Sequence, residues 1–347
     1  MKTLIKFGAA AAAVLAGASL AHARDLTVTS WGGAYQNAQT EAYFNPFRQK
    51  AGMPLIDESW DGGIGVLRTK VEGGNATWDV VQVESDELAV GCDEGLYEKL
   101  DFDKIGGKDR YIKEAVHACG VGAIVYDFVL AYDKGRLKDA PKGWADLFDT
   151  QKYPGKRALR GGPKTTLEIA LMADGVPPEK VYEVLKTPAG VDRAFKKLDS
   201  VKKDLIFWKA GAQPPQLLAS GEVVMTSAYN GRIDAANRDD KRNFGIVWSQ
   251  PLFTIDSWVI LKNSPNKDNA YKLLDFMGQA ENQAKLPLKI AYGVTNRDAN
   301  KSIPAERLKD LPTAPENFKT AIEISDEFWL ENIDRLTERF NKWSASQ

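Results

Sequence analysis

A chain of 347 residues, 44% of them hydrophobic, is long enough for two domains with cores of their own. Acids and bases nearly cancel, to a formal net charge of −1, which excludes the basic stripe of a nucleic-acid binder. Of the two histidines only His117 lies beyond the expected N-terminal leader, and with the two cysteines expected to pair this excludes the usual zinc sites and the Ser-His-Asp and Cys-His catalytic sets.

The start of the chain reads as a secretory signal peptide, residues 1–23. Lys2 and Lys6 precede an apolar run from Phe7 to Leu20, and Ala21-His22-Ala23 then supplies an A-x-A site, so cleavage is expected after Ala23. The run is shorter than the roughly 20 residues a membrane span needs. No Cys follows it to carry a lipid, and no later stretch is apolar enough to insert. Cleavage takes away Lys2 and Lys6, which moves the net charge from −1 to −3, and leaves His117 as the remaining histidine. In an exported chain Cys92 and Cys119 are expected to form one disulfide.

Leu26-Thr27-Val28-Thr29 is a strand pattern that leads into Ser30-Trp31-Gly32-Gly33-Ala34-Tyr35, and an amphipathic helix is expected over residues 36–50. Two glycines at a strand-to-helix junction allow a sharp turn and a close approach of backbone to a ligand, with Trp31 and Tyr35 as flat faces beside them. An extended run over 53–60 ends in Trp60-Asp61-Gly62-Gly63 and a helix over 64–72. Trp78 to Glu84 reads as a buried strand, capped by Ser85-Asp86. Strands alternating with helices predict α/β lobes with mostly parallel sheets, whose ligands lie beyond the C-terminal strand ends.

Two runs, 121–133 and 250–262, exceed the usual strand of about 5–6 residues and read as strands crossing between lobes. Between them lies an α/β set with strands expected at 156–160, 205–208, 222–229 and 244–248. The expected lobes are 24–132 with 257–301, and 133–256 with 302–347. An amphipathic helix over 326–344 closes the chain.

In order along the chain, Ser30-Trp31-Gly32-Gly33-Ala34-Tyr35, Trp78-Asp79-Val80-Val81, Tyr229-Asn230-Gly231-Arg232, Ile255-Asp256-Ser257-Trp258 and Tyr292-Gly293-Val294-Thr295-Asn296 resemble the periplasmic substrate-binding proteins of spermidine/putrescine ABC importers. The resemblance spans nearly the whole exported chain. It implies the two-lobed type II periplasmic binding protein fold, a monomer that closes on ligand, and delivery to a membrane permease. It also implies a cleft in which Trp31, Tyr229 and Tyr292 are aromatic walls and Asp256 meets an ammonium. The expected ligand-contact set is Trp31, Gly32, Gly33, Tyr35, Glu84, Asp86, Tyr229, Arg232, Asp256 and Tyr292. No catalytic residue, metal or cofactor is expected.

Two positions depart from the polyamine pattern. Spermidine binders carry acids near Arg160-Gly161-Gly162-Pro163-Lys164-Thr165, and putrescine binders place an Asp at Arg232. A guanidinium in the cleft repels a second ammonium and suits a carboxylate. The leading expectation is therefore a polyamine or related amine. The alternative is an amino-acid-like ligand such as 4-aminobutyrate, held through Arg232 and Asp256. A secreted enzyme using Glu84 and Asp86 lacks a nucleophile, and a metal binder lacks the adjacent tyrosine pair such proteins offer.

Overall fold

The computed structural model describes residues 24–73 and 77–346. The signal-peptide reading and its cleavage site lie outside the described residues. Ten strands form one sheet. They are β1 (Leu26–Ser30), β2 (Leu55–Ser59), β3 (Val80–Val83), β4 (Val116–His117), β5 (Gly120–Asp133), β6 (Arg157–Arg160), β7 (Leu205–Trp208), β8 (Met225–Tyr229), β9 (Phe244–Ile260) and β10 (Ile322–Glu323).

The spatial order is β2-β1-β3-β9-β5-β8-β6-β7, with β4 beside β5 and β10 beside β9. At one end β1 pairs in parallel with β2 and β3. At the other end β6 pairs in parallel with β7 and β8. The antiparallel strands β5 and β9 join these two groups: β9 takes β3 through Ser257–Ile260, and β5 takes β8 through Phe128–Tyr132. The result is a two-lobed α/β fold in which both lobes share the β5–β9 ladder.

The long strands depart from the sequence expectation in one respect. The expected strand over 244–248 and the run over 250–262 are a single strand, β9. Its pairing jumps from Val247 opposite Leu130 to Leu252 opposite Phe128. Residues between those pairs loop out of the ladder, with Gln250 at φ 57°. Pro251 follows, and having no N–H it gives up no ladder hydrogen bond there. All of β5 except Asp133 is buried, as befits a strand covered on both faces.

The first turn is built as its glycines suggest. Gly32 and Gly33 have φ of 60° and 56°, the left-handed region that glycine enters without strain. The helix begins at Gly33, earlier than expected, and continues through a π-helical turn at Thr40–Phe44 into Asn45–Ala51. After β3, Glu87 caps its own helix: one carboxylate oxygen accepts the Glu84 N–H at 3.0 Å. Its other oxygen accepts the Gly63 N–H at 2.5 Å, which ties the second glycine turn to the third strand's end.

The C-terminal helix Asp326–Ala345 anchors to the second lobe through Phe340, edge-on to Phe207 at 5.2 Å. Trp329 on the same helix donates to buried Glu168 at 2.7 Å.

Cys92 and Cys119 form a disulfide with Cα atoms 5.7 Å apart, and the His117 ring accepts the Cys119 N–H beside it. Closing a loop over 27 residues contributes about 3–4 kcal/mol by restricting the unfolded chain. Thermal melts with and without reductant should therefore differ by several degrees. Identical melts would show that the bond does not constrain the unfolded state.

Candidate functional site

Three strand ends of the first lobe and three of the second converge on one small cavity. Its lining includes Trp31, Tyr35, Trp60, Glu84, Ile124, Tyr126, Arg160, Tyr229, Arg232, Asp256 and Tyr292, with Asp61 and Lys209 exposed at the mouth. The cavity is partly open at its mouth and leaves about 40 Å³ for the centres of water-sized groups.

The walls are aromatic. Trp31 stacks on Trp60 with centroids 5.2 Å apart. Tyr292 meets Tyr35 edge-on at 5.1 Å, and Tyr126 meets Tyr229 at 5.4 Å and Tyr292 at 6.2 Å. Such a box presents negative ring faces to a cation.

Asp256 lies at the floor, 3% exposed, on β9 opposite Ile124. Its Oδ2 accepts from the Trp31 indole N–H at 2.7 Å and from the Gln82 amide at 3.1 Å. Gln82 is itself held by Gln39, Ser30 and Tyr35. Asp256 Oδ1 and the Tyr126 hydroxyl, also facing this carboxylate, are buried without a hydrogen bond of normal geometry. Burial first, and Glu84 second, push the Asp256 carboxyl well above the usual range. A free acceptor oxygen in a protein interior is a site waiting for a donor.

Arg232, on the helix Asn230–Asp239, is 4% exposed and makes no ion pair among the described residues. It reaches across the cleft: Nη1 donates to the Gly32 carbonyl at 2.8 Å and Nη2 to the Trp31 carbonyl at 3.0 Å. A Cβ on Gly33 would stand 3.0 Å from Nη1, so the bare backbone of that turn makes room for the guanidinium. The third donor, Nε, is buried and unpartnered.

Glu84 and Asp86 are already engaged. Arg160 donates to both oxygens of Glu84, at 2.7 and 3.1 Å. Lys164 lies 2.6 Å from Asp86 and 3.4 Å from Glu84. Burial pulls Lys164 and Arg160 down, but the facing carboxylates outweigh it and hold both well above their ordinary values. Thr165 adopts φ 70°, a costly conformation for a β-branched residue, directly after Lys164. Glu168, near the same loop in sequence, faces away to Trp329 and Tyr182.

Of the expected contact set, Trp31, Tyr35, Glu84, Tyr229, Arg232, Asp256 and Tyr292 line this cavity. Gly32 and Gly33 shape the turn behind it, and Asp86 lies in a neighbouring groove with Lys164. Trp60, Tyr126, Arg160 and Lys209 are additions. Trp60 carried a signal, the aromatic before a second glycine pair. Among the described residues no group of three His, Cys, Asp or Glu is placed to hold a metal. Nor, among them, is any helix long and apolar enough to cross a membrane.

The family described as bacterial extracellular solute-binding protein matches residues 42–316. A gamma-aminobutyric acid-binding protein of Pseudomonas aeruginosa is 43% identical over 95% of this chain and 94% of its own length. A spermidine/putrescine-binding periplasmic protein of Haemophilus influenzae is 22% identical over 87% of this chain and 84% of its own. Among solved structures, an ABC transporter substrate-binding protein from Bradyrhizobium japonicum superposes with a TM-score of 0.83 at 38% identity, covering 92% of this chain and 98% of that one. A structure described as the Atu4243–GABA receptor gives 0.81 at 35% identity, covering 93% and 98%.

Proposed function

The chain belongs to the bacterial extracellular solute-binding protein family, the substrate-binding components of ABC transporters, and from that premise we propose that it captures a short ω-amino acid of the 4-aminobutyrate type and delivers it to a membrane permease. The carrying observation is that two residues lining the cavity each keep a buried atom without a hydrogen bond of normal geometry: Asp256 Oδ1, an acceptor, and Arg232 Nε, a donor. In this reading the ammonium sits in the aromatic box against Asp256. The carboxylate takes Arg232 Nε, a charge-assisted bond.

A diamine fits the same wall less well. Its second ammonium needs a second carboxylate, and Glu84 is held by Arg160 while Arg232 presents like charge. The two gamma-aminobutyrate proteins, at 43% and 35% identity, support this reading over the polyamine one, whose relatives stand at 22–24%. We also propose that the lobes divide as 24–132 with 257–301 and 133–256 with 302–347, and that the ligand is enclosed as they close.

A thermal-shift panel of 4-aminobutyrate, other ω-amino acids, putrescine and spermidine tests the reading. Ligand at 100 times its dissociation constant adds about 2.7 kcal/mol of stability. The melting temperature should rise with 4-aminobutyrate or a near homologue. A rise with putrescine or spermidine alone would restore the polyamine assignment.

A further inference from the structure

Four charges cross the cleft beside the cavity. Glu84 and Asp86 extend from the end of β3, and Arg160 and Lys164 from the end of β6. Two acids meet two bases, and the cluster is neutral as a whole. Glu84 is the member that also faces the cavity together with Arg160; Lys164 is turned to Asp86. With Asp256, the cavity therefore holds two buried carboxylates, at 3% and 8% exposure, of which one is neutralised by a bidentate guanidinium.

We infer that Arg160 is the specificity-determining residue that excludes diamines, by occupying Glu84, the second carboxylate that such a ligand needs. The inference rests on the ω-amino-acid reading above. Two ammonium groups at either end of a short chain require two anions within one small cavity. Arg160 converts one of them into part of a closed ion pair, so a diamine would have to displace a guanidinium that makes two hydrogen bonds in a parallel fork. Removing Arg160 leaves the cluster with one uncompensated negative charge, at the cavity wall. Lys164 already reaches Glu84 at 3.4 Å, but its one charge is shared with Asp86 at 2.6 Å, so it cancels the freed carboxylate only in part.

The test is titration calorimetry with 4-aminobutyrate and with putrescine on four proteins: wild type, Arg160→Met, Arg160→Lys and Arg160→Met/Glu84→Gln. Arg160→Met should move the ratio of the two affinities toward putrescine by about tenfold or more. Arg160→Lys keeps the positive charge but not the fork, so its ratio should fall between those of wild type and Arg160→Met. Glu84→Gln in the Arg160→Met background should return it, because the freed carboxylate is gone. Should the methionine variant fail to fold, Arg160→Gln removes the charge while keeping hydrogen-bonding capacity, and carries the same expectation. An unmoved ratio in the neutral variant, or a gain that survives Glu84→Gln, overturns the assignment of Arg160 while leaving the ω-amino-acid reading intact. Wild type that already binds putrescine as tightly as 4-aminobutyrate overturns both.

Discussion

Asp256→Asn should weaken 4-aminobutyrate binding by about 2–5 kcal/mol, from about 30-fold to a few thousandfold, the usual loss when one partner of a buried charge pair is removed. Asparagine fits the space and can still accept from Trp31. It supplies no counter-charge to the ammonium, and its amide is a donor that faces a donor. The pH dependence sharpens this expectation. Burial and Glu84 raise the Asp256 carboxyl well above the ordinary range in the ligand-free site, whereas an ammonium at Oδ1 lowers it again. Binding therefore releases a proton, affinity climbs with pH toward the raised value, and it is lost as pH falls. The Asn variant has no such group, so this part of the slope should vanish. Calorimetry at several pH values reads both effects; a variant that binds as tightly as wild type would falsify the amine site.

Arg232→Met should produce a loss of similar size, but for a different reason. The guanidinium spends two donors on the Trp31 and Gly32 carbonyls and keeps Nε for the cavity. Methionine removes a bridge between lobes as well as a ligand contact. The two contributions separate when the titration is repeated with butylamine, which has the ammonium and the chain but no carboxylate. Loss confined to 4-aminobutyrate assigns Arg232 to the carboxylate. Equal loss for both ligands assigns it to closure alone. Arg232→Lys should fall between, since one ammonium cannot reproduce three N–H groups in a fixed plane.

Much of this site was legible in the sequence because it stands at strand ends, where glycine pairs and aromatic residues break the hydrophobic pattern. Trp31 was found in that way, Tyr229 and Asp256 came from the resemblance to polyamine-binding proteins, and Arg232 drew notice because its charge is wrong for a diamine. Glu84 and Asp86 were legible as acids but not as neutralised acids. Their partners Arg160 and Lys164 lie 76 and 78 residues away along the chain, and no local pattern reports a pairing made across a cleft. Tyr126 escaped for another reason. On a strand buried on both faces the alternation of inside and outside disappears, so nothing distinguishes a cavity wall from a core residue. The union of the two expected strands, 244–248 and 250–262, into β9 was hidden because no local pattern shows that the chain rejoins the same ladder after the excursion between Val247 and Leu252.

The continuity of the sheet has a mechanical consequence. Register shifts on β5 fall between Gly122 and Ile124 and between Phe128 and Leu130, so the stretch between them is bounded by two places where the ladder is already relaxed. Tyr126 lies within that stretch, and Asp256 pairs with Ile124 at its edge. On the proposed reading, the Asp256 end of the ligand site therefore sits at the fulcrum rather than at the tips of the jaws. A force applied at a fulcrum does little work on the arms, so filling the site decides where the arms come to rest. On the same reading, Arg232, which lines the same cavity, and the four-charge cluster that reaches it are the contacts that hold the arms together.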